Sequence, residues 1–439
     1  MNFSNNLYFY TLIIKKNIMK KLLTSLIPVI LLLSFVTNAQ EEGKKFGINF
    51  SGFVKNDVFF DTRQTVSVRE GHFLLYPSDI SFDANEEDIN TGLNYNFLSI
   101  QTRLKGTISG PDAFGAKTSG AIEGAFFGHT NSDINGFRLR HAFAKLKWEK
   151  TEFLAGQYWH PMFVTGCFPG TISFNTGVPF QPFSRNPQLR LSHKLGNLNI
   201  IGVAQSQRDF ASPGGSTSLR NSGIPDMHIQ FQYETKDKKL FTGFGGGFKM
   251  LKPVLSTIGD SGAVYKTDET VNSFSAIVFL KYKTPKLTFK LEGVWGQNMY
   301  DLLMLGGYAV EYDSITNTTG HVSYTTLDNF SVWTDIHSNG KKIQAGLFAG
   351  YTKNLGSLKN IAINTYSSRG SDIAYVYRVS PRLIFISGKF KFAFEFEFTN
   401  AAYARVSDDF ATGINSLGDV QDYENVYNLR SLLSVIYSF

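Results

Sequence analysis

The side chains most able to do chemistry in this 439-residue sequence are basic ones set on alternating positions. Arg138 and Arg140 flank Leu139, Arg190 lies between Leu189 and Leu191, Arg103 and Lys105 flank Leu104, and Arg185 opens Arg185-Asn186-Pro187. Guanidinium and ammonium groups in such an arrangement bind and steer anions rather than break bonds. Catalytic patterns are weaker. Gly259-Asp260-Ser261-Gly262 reads like a serine-protease signature but lacks the flanking sequence that chemistry needs. Gly243-Phe244-Gly245-Gly246-Gly247 superficially resembles a phosphate-binding loop, yet it sits inside a strand pattern and opens no helix. The eight histidines form no HExxH or other metal spacing, so wall or rim positions are expected for them. The acids between Asp83 and Asp88, and Asp408-Asp409, would suit calcium at a rim, but solvated loop charge is their default role. The single cysteine, Cys167, excludes an intrachain disulfide framework and reads as an inert thiol. No catalytic residue, metal ligand or cofactor is expected.

The elements carrying these residues are strands. From Phe390 every second residue is phenylalanine, through Phe392, Phe394, Phe396 and Phe398, with Lys391, Ala393, Glu395 and Glu397 between them. Successive side chains of a strand point to opposite faces, so this segment has one bare aromatic wall and one charged wall. In a soluble sandwich the charged wall would meet water; in an outer-membrane barrel the aromatic wall meets lipid and the charged wall a wet lumen. Similar alternation recurs in paired segments along the chain, at roughly 47–60 with 93–109, 117–129 with 136–148, 152–160 with 187–195, and 197–208 with 226–235. It continues at 239–250 with 271–283, 286–298 with 329–338, 341–353 with 371–386, and 389–402 with 424–439. About sixteen strands result.

Connections separate the two architectures. Between pairs they are tight and polar, as at Glu149-Lys150-Thr151, Lys236-Asp237-Lys238 and Ser387-Gly388; within pairs most are long, as at 61–92, 161–186 and 299–328. Short turns on one rim and long loops on the other are the habit of outer-membrane barrels. Phe73-Leu74-Leu75-Tyr76 would suit a further strand, but Pro77 and the acids after it favour a loop. Eighteen strands remain the alternative count. The last strand closes on Phe439, in parity with Tyr427, Leu429, Leu433, Val435 and Tyr437, which resembles the terminal aromatic assembly signal of bacterial barrels.

The amino end reads as an export address. Lys20 and Lys21 precede an apolar run from Leu22 to Val36, and Thr37-Asn38-Ala39 resembles a cleavage site. Residues 1–39 are expected to be a signal peptide, with Met19 as the true start, and 40–439 the barrel. Four lysines of the leader carry four of the seven net positive charges, leaving +3, too mild to argue for nucleic acid. Forty phenylalanines and twenty tyrosines coexist with a near-neutral mean hydropathy of −0.12, as alternation requires.

Parity places Arg103, Lys105, Arg138, Arg140 and Arg190 on the inner wall, since an arginine facing lipid costs roughly 2–4 kcal/mol near the midplane. The connection 161–186 carries prolines, glycines and five phenylalanines, Phe163, Phe168, Phe174, Phe180 and Phe183. It is expected to fold into the lumen as a constriction loop, with Arg138, Arg140, Arg185 and Arg190 forming a positive eyelet around it. Glu123, Glu292, Glu395 and Glu397 also point inward, so arginines that merely fasten the loop are the competing reading.

Phe137-Arg138-Leu139-Arg140-His141-Ala142-Phe143, then Ala155-Gly156-Gln157-Tyr158-Trp159, Ile172-Ser173-Phe174-Asn175 and Arg185-Asn186-Pro187-Gln188-Leu189-Arg190, come in an order that resembles the DcaP-type trimeric porins. The likeness covers roughly 137–208. It implies a sixteen-stranded trimer with a basic constriction at Arg138, Arg140, Gln157, Arg185 and Arg190, in a family implicated in uptake of dicarboxylates and related anions. Two departures stand out: some members carry an amino-terminal coiled coil for which 40–46 leave no room, and Trp159 runs into His160-Pro161 where a small polar residue belongs. The expectation is a transmembrane antiparallel β-barrel of the bacterial outer membrane. It would be a passive channel for small hydrophilic solutes, favouring anions such as carboxylates, and a homotrimer. A barrel enzyme of lipase or protease type, or a loop-mediated receptor or adhesin, is the alternative.

Overall fold

A computed structural model describes residues 47–128, 131–314, 318–362, 364–407, 410–411 and 413–439. The expected leader, His129 and the Asp408-Asp409 pair lie outside these residues. Sixteen strands form one antiparallel wall, each hydrogen-bonded to its neighbours in sequence. They are β1 (Gly47–Arg63), β2 (Thr91–Leu98 continued by Arg103–Ser109), β3 (Lys117–Ala125), β4 (Arg138–Lys147), β5 (Thr151–Trp159), β6 (Arg185–Leu195), β7 (Leu198–Gln205) and β8 (Asp226–Glu234). The remaining eight are β9 (Leu240–Leu251), β10 (Val271–Lys283), β11 (Leu287–Gln297), β12 (Tyr324–Ser338), β13 (Ile343–Gly356), β14 (Ile373–Ser387), β15 (Phe390–Ala404) and β16 (Tyr423–Ser438).

The wall closes where β1 meets β16, with Phe53 opposite Ser438 and Asp61 opposite Arg430. Gly52 and Phe439 exchange backbone hydrogen bonds of 3.3 and 3.1 Å at the seam. A glycine is required there: a Cβ on residue 52 would lie 2.1 Å from the Arg103 carbonyl oxygen and 2.9 Å from the Phe439 ring. Closure removes every free sheet edge, which is the condition for a sheet to cross hydrocarbon.

The two faces sort as the alternation demands. Phe392 and Phe396 are about half exposed on the outside, whereas Ala393, Glu395 and Glu397 are fully covered inside. An outer belt of bare rings over a charged interior is the reverse of a soluble sandwich and is stable only against lipid. Gly243 through Gly247 belong to β9 and lie in the wall, and Ser261 is exposed at a turn between the short strands Ser256–Ile258 and Val264–Lys266.

The segment 64–90 differs from a plain loop. Thr65–Val68 and Phe73–Pro77 pair as a hairpin, and Phe73, Leu74 and Leu75 are at most 2% exposed. This hairpin is no part of the wall, so the wall count stays at sixteen. Its apolar run lacks alternation because it is enclosed on all sides. The Phe73 ring meets Phe174 at 4.6 Å and Phe183 at 5.0 Å, both from the connection between β5 and β6. Among the acids that follow, Asp83 accepts the backbone N–H of Asn85 and Glu87 within its own turn, and Asp88 pairs with Arg63 at 2.5 Å.

An arginine cluster beside the inward loop

The connection after Trp159 lies inside the barrel and is held from nearly every side. Its backbone oxygens accept from Lys55 of β1 (Ile172, 2.6 Å), Gln230 of β8 (Pro161, 3.1 Å), Lys290 of β11 (Phe168, 2.8 Å), Ser331 of β12 (Phe180, 2.9 Å) and Arg378 of β14 (Val178, 2.9 Å). Its N–H groups donate to carboxylates: Gly170 to Asp335 at 3.1 Å, Ile172 to Glu395 at 2.6 Å, and the Asn175 amide to Glu397 at 2.6 Å. Four of the five phenylalanines of this segment are buried as composition suggests. Phe163, Phe174, Phe180 and Phe183 are buried in one apolar cluster with Phe73 and Met304, while Phe168 is partly exposed. At this level the interior is a packed apolar plug flanked by charged wall, not a simple water column.

Beside the plug stands the basic cluster. Arg103 and Arg140 both place their guanidinium carbon 5.9 Å from the Phe174 ring centre, and Arg140 and Arg185 share the Trp159 ring at 6.0 and 5.1 Å. Arg140 donates Nε to Glu123 at 2.6 Å. Arg138 and Arg185 converge on Asp209, at 2.8 and 2.7 Å. Four guanidiniums thus face two carboxylates, a surplus of two positive charges. Both terminal nitrogens of Arg140, one of Arg185 and Nε of Arg103 are buried without a hydrogen-bond acceptor. Unmet donors on buried cations are costly unless an anion supplies the oxygens. Asp209 shows the same field from the other side: burial pushes its carboxyl upward, but Arg185 and Arg138 outweigh that and hold it below the usual carboxylate range.

A break in strand regularity aims the cluster. Glu123 pairs with His141 and Gly124 with Leu139, so Arg140 is an extra residue with nothing opposite it. Such a bulge lets adjacent side chains point the same way. Arg140 and His141 are both buried, at 2% and 6% exposure, where simple parity sends His141 outward. Beyond the bulge the faces exchange. Gln157, in register with Pro187 of β6, stands in the outward row with Ala142 and Ile122. The Gln157 amide donates to the Arg140 carbonyl at 3.0 Å, capping the bulge rather than facing the passage.

The other expected residues are placed as follows. Arg190 is inside but apart, its guanidinium 5.4 Å from the Tyr158 ring. Lys105 stands opposite Glu123 in the β2–β3 ladder. Asp209, which completes the cluster, was not singled out by sequence reasoning; it lies 71 residues from Arg138 in a long connection without a pattern. Arg378 is a fastening residue: it donates to Val178 at 2.9 Å and to Leu74 and Leu75 at 3.0 Å, tying both inward segments together. Arg430 holds Asp61 with two bonds of 2.9 and 2.7 Å across the seam, and Ser434 bonds Asp57 there.

No family model and no curated protein matches the sequence. Solved structures do match in fold. The outer membrane channel DcaP of Acinetobacter baumannii superposes with a TM-score of 0.65 at 16% identity, over 92% of this chain and 100% of that one. An anion-selective porin from Comamonas acidovorans gives 0.52 at 11% identity, over 90% and 100%. The trimer form of OmpT, an outer membrane protein of Vibrio cholerae, gives 0.52 at 9% identity, over 90% and 100%. The class is therefore the sixteen-stranded porin barrel. The chain has that fold, and DcaP is one channel whose architecture it shares over 92% of its length.

Proposed function

We propose that the chain is a passive diffusion channel of the outer membrane that favours small organic anions, carboxylates foremost, and works as a homotrimer. The observation that carries this reading is the buried surplus of two positive charges with unmet guanidinium N–H groups beside the inward loop. Rings of arginine or lysine raise the local concentration of anions and lower their barrier to passage. No covalent step is needed. The plug sets the cross-section left for solute, and Arg138 and Glu123, at 13% and 12% side-chain exposure, form the cluster's solvent-facing edge. Anionic solute and trimer are supported by the likeness in fold to an anion-selective porin and to a trimeric barrel.

The test is a planar bilayer with the purified protein under a potassium chloride gradient. A reversal potential of anion-preferring sign, with conductance inserting in threefold steps, is expected. A cation-preferring sign removes the anion reading while leaving a channel. Absence of any conductance removes the channel and favours an enzyme or a receptor.

A further inference from the structure

A second cluster lies on the same inner wall, at the root of the inward loop. His160 follows the last residue of β5, and Asp226 and His228 sit two apart on β8, so their side chains share one face. One donor atom from each falls within 4.8 Å of the other two. Nε2 of His160 is 3.5 Å, and Nε2 of His228 2.9 Å, from the two Asp226 oxygens. These spacings make Asp226 the carboxylate partner of both imidazoles, His228 at hydrogen-bond length and His160 at a longer reach. They match ligands arranged around a common point. Bonds of about 2.0–2.1 Å in a tetrahedron put neighbouring ligand atoms about 3.3–3.4 Å apart.

Three further features belong to a built site. A cavity of about 20 Å³ adjoins the three residues, room for one ion or one water. Ser273, 2% exposed, lines that cavity with a hydroxyl that has no partner. Gly247, opposite His228 in the β8–β9 ladder, yields its side-chain space to the imidazole, since a Cβ would lie 2.2 Å from the ring. Gln205 donates to Asp226 at 2.9 Å and fixes the carboxylate, as an outer-shell partner does. The neighbouring Lys249 is neutralised by Asp301 at 2.5 Å, so it does not repel a cation as a free charge would.

We infer that His160, Asp226 and His228 bind one divalent first-row transition cation of the zinc type, with a fourth position open to water beside Ser273. Two imidazoles and one carboxylate suit such ions. His160 Nδ1 accepts the Met162 N–H at 3.2 Å. Ligation through Nε2 moves the ring proton to Nδ1 and releases that amide, so the ion fastens β5 to β8 at the point where the inward loop begins.

The experiment uses untagged protein folded in detergent and stripped with a chelator, titrated with zinc by calorimetry and with cobalt by visible absorption. One equivalent should bind, with cobalt bands of low-symmetry, four- or five-coordinate intensity. His228→Ala and Asp226→Asn should weaken binding at least about tenfold, while His193→Gln, a histidine elsewhere on the wall, should leave it unchanged. Heat-modifiable migration verifies that each variant is folded, and His160→Gln decides if His228→Ala does not fold. Wild-type protein that binds neither ion, or folded variants that bind like wild type, overturn the inference.

Discussion

Arg185 donates Nε and a terminal nitrogen to one oxygen of Asp209, at 2.8 and 2.7 Å, while Arg138 takes the other oxygen. The loop between β7 and β8 thereby brings a carboxylate into the basic cluster and neutralises part of it.

Asp209→Asn should make the channel more anion-preferring. Freeing two guanidiniums of their counter-ion is worth roughly 1 kcal/mol in the passage barrier, about a fivefold change in permeability ratio. Reversal potentials in a salt gradient read it, and a shift toward cations would contradict the role given to this residue.

Acid should imitate that substitution. The folded-state pKa of Asp209 is depressed because Arg185 and Arg138 outweigh its burial. Its contribution to stability is therefore complete above the unfolded value of about 3.9 and is lost as pH falls through the lower folded value. Over that window anion preference should rise in the wild type. The rise should be smaller in Asp209→Asn, whose Arg138 and Arg185 no longer face a titrating group. Equal rises in both proteins would assign the effect to other carboxylates.

Arg140→Ala and Arg190→Ala should separate. Arg140 carries two unmet terminal nitrogens in the cluster, whereas Arg190 rests on Tyr158 away from it. Loss of anion preference is expected with the first and little change with the second. Comparable losses from both would mean that the passage runs along β6 rather than past the bulge.

Cys167 should ignore thiol reagents in the folded barrel at pH 8. It is fully buried, and burial first, with the charge of Glu292 adding to it, pushes the thiol up to about 12. Labelling should begin only after thermal unfolding in detergent; stoichiometric reaction with native protein would show that the plug opens.

Removing Arg378 should loosen both inward segments together, because one guanidinium bonds Val178 in one and Leu74 and Leu75 in the other. Arg378→Ala also leaves the buried Glu397 without its 4.0 Å counter-ion. A stability loss of about 3–5 kcal/mol is expected, as for other broken buried pairs. Single channels should be larger and noisier, and wild-type noise would refute the coupling.

The wall was readable because its signal is local: a period of two over a dozen residues needs no partner to be recognised. Both faces of β15 follow from Phe390 to Phe398 alone. The same rule fails at Arg140, where one extra residue turns His141 inward, since a bulge leaves no mark in composition. The hairpin was only half visible: Phe73-Leu74-Leu75-Tyr76 suits a strand, but its partner Thr65–Val68 and its place off the wall left no pattern. Its apolar run faces loops some hundred positions away, so nothing nearby imposes alternation. Asp209 and the His160, Asp226 and His228 group are likewise products of closure. Asp226-Met227-His228 did carry a cue, two ligand-type residues two apart on one strand face, but His160 meets them only in the closed cylinder.

The seam at Gly52 and Phe439 makes the cylinder an all-or-none object. The amides along the free margin of the first strand find acceptors only on the last one, so every amino-terminal fragment would present bare peptide groups to acyl chains. The wall can therefore face hydrocarbon along its whole circumference only once its first and last strands have met.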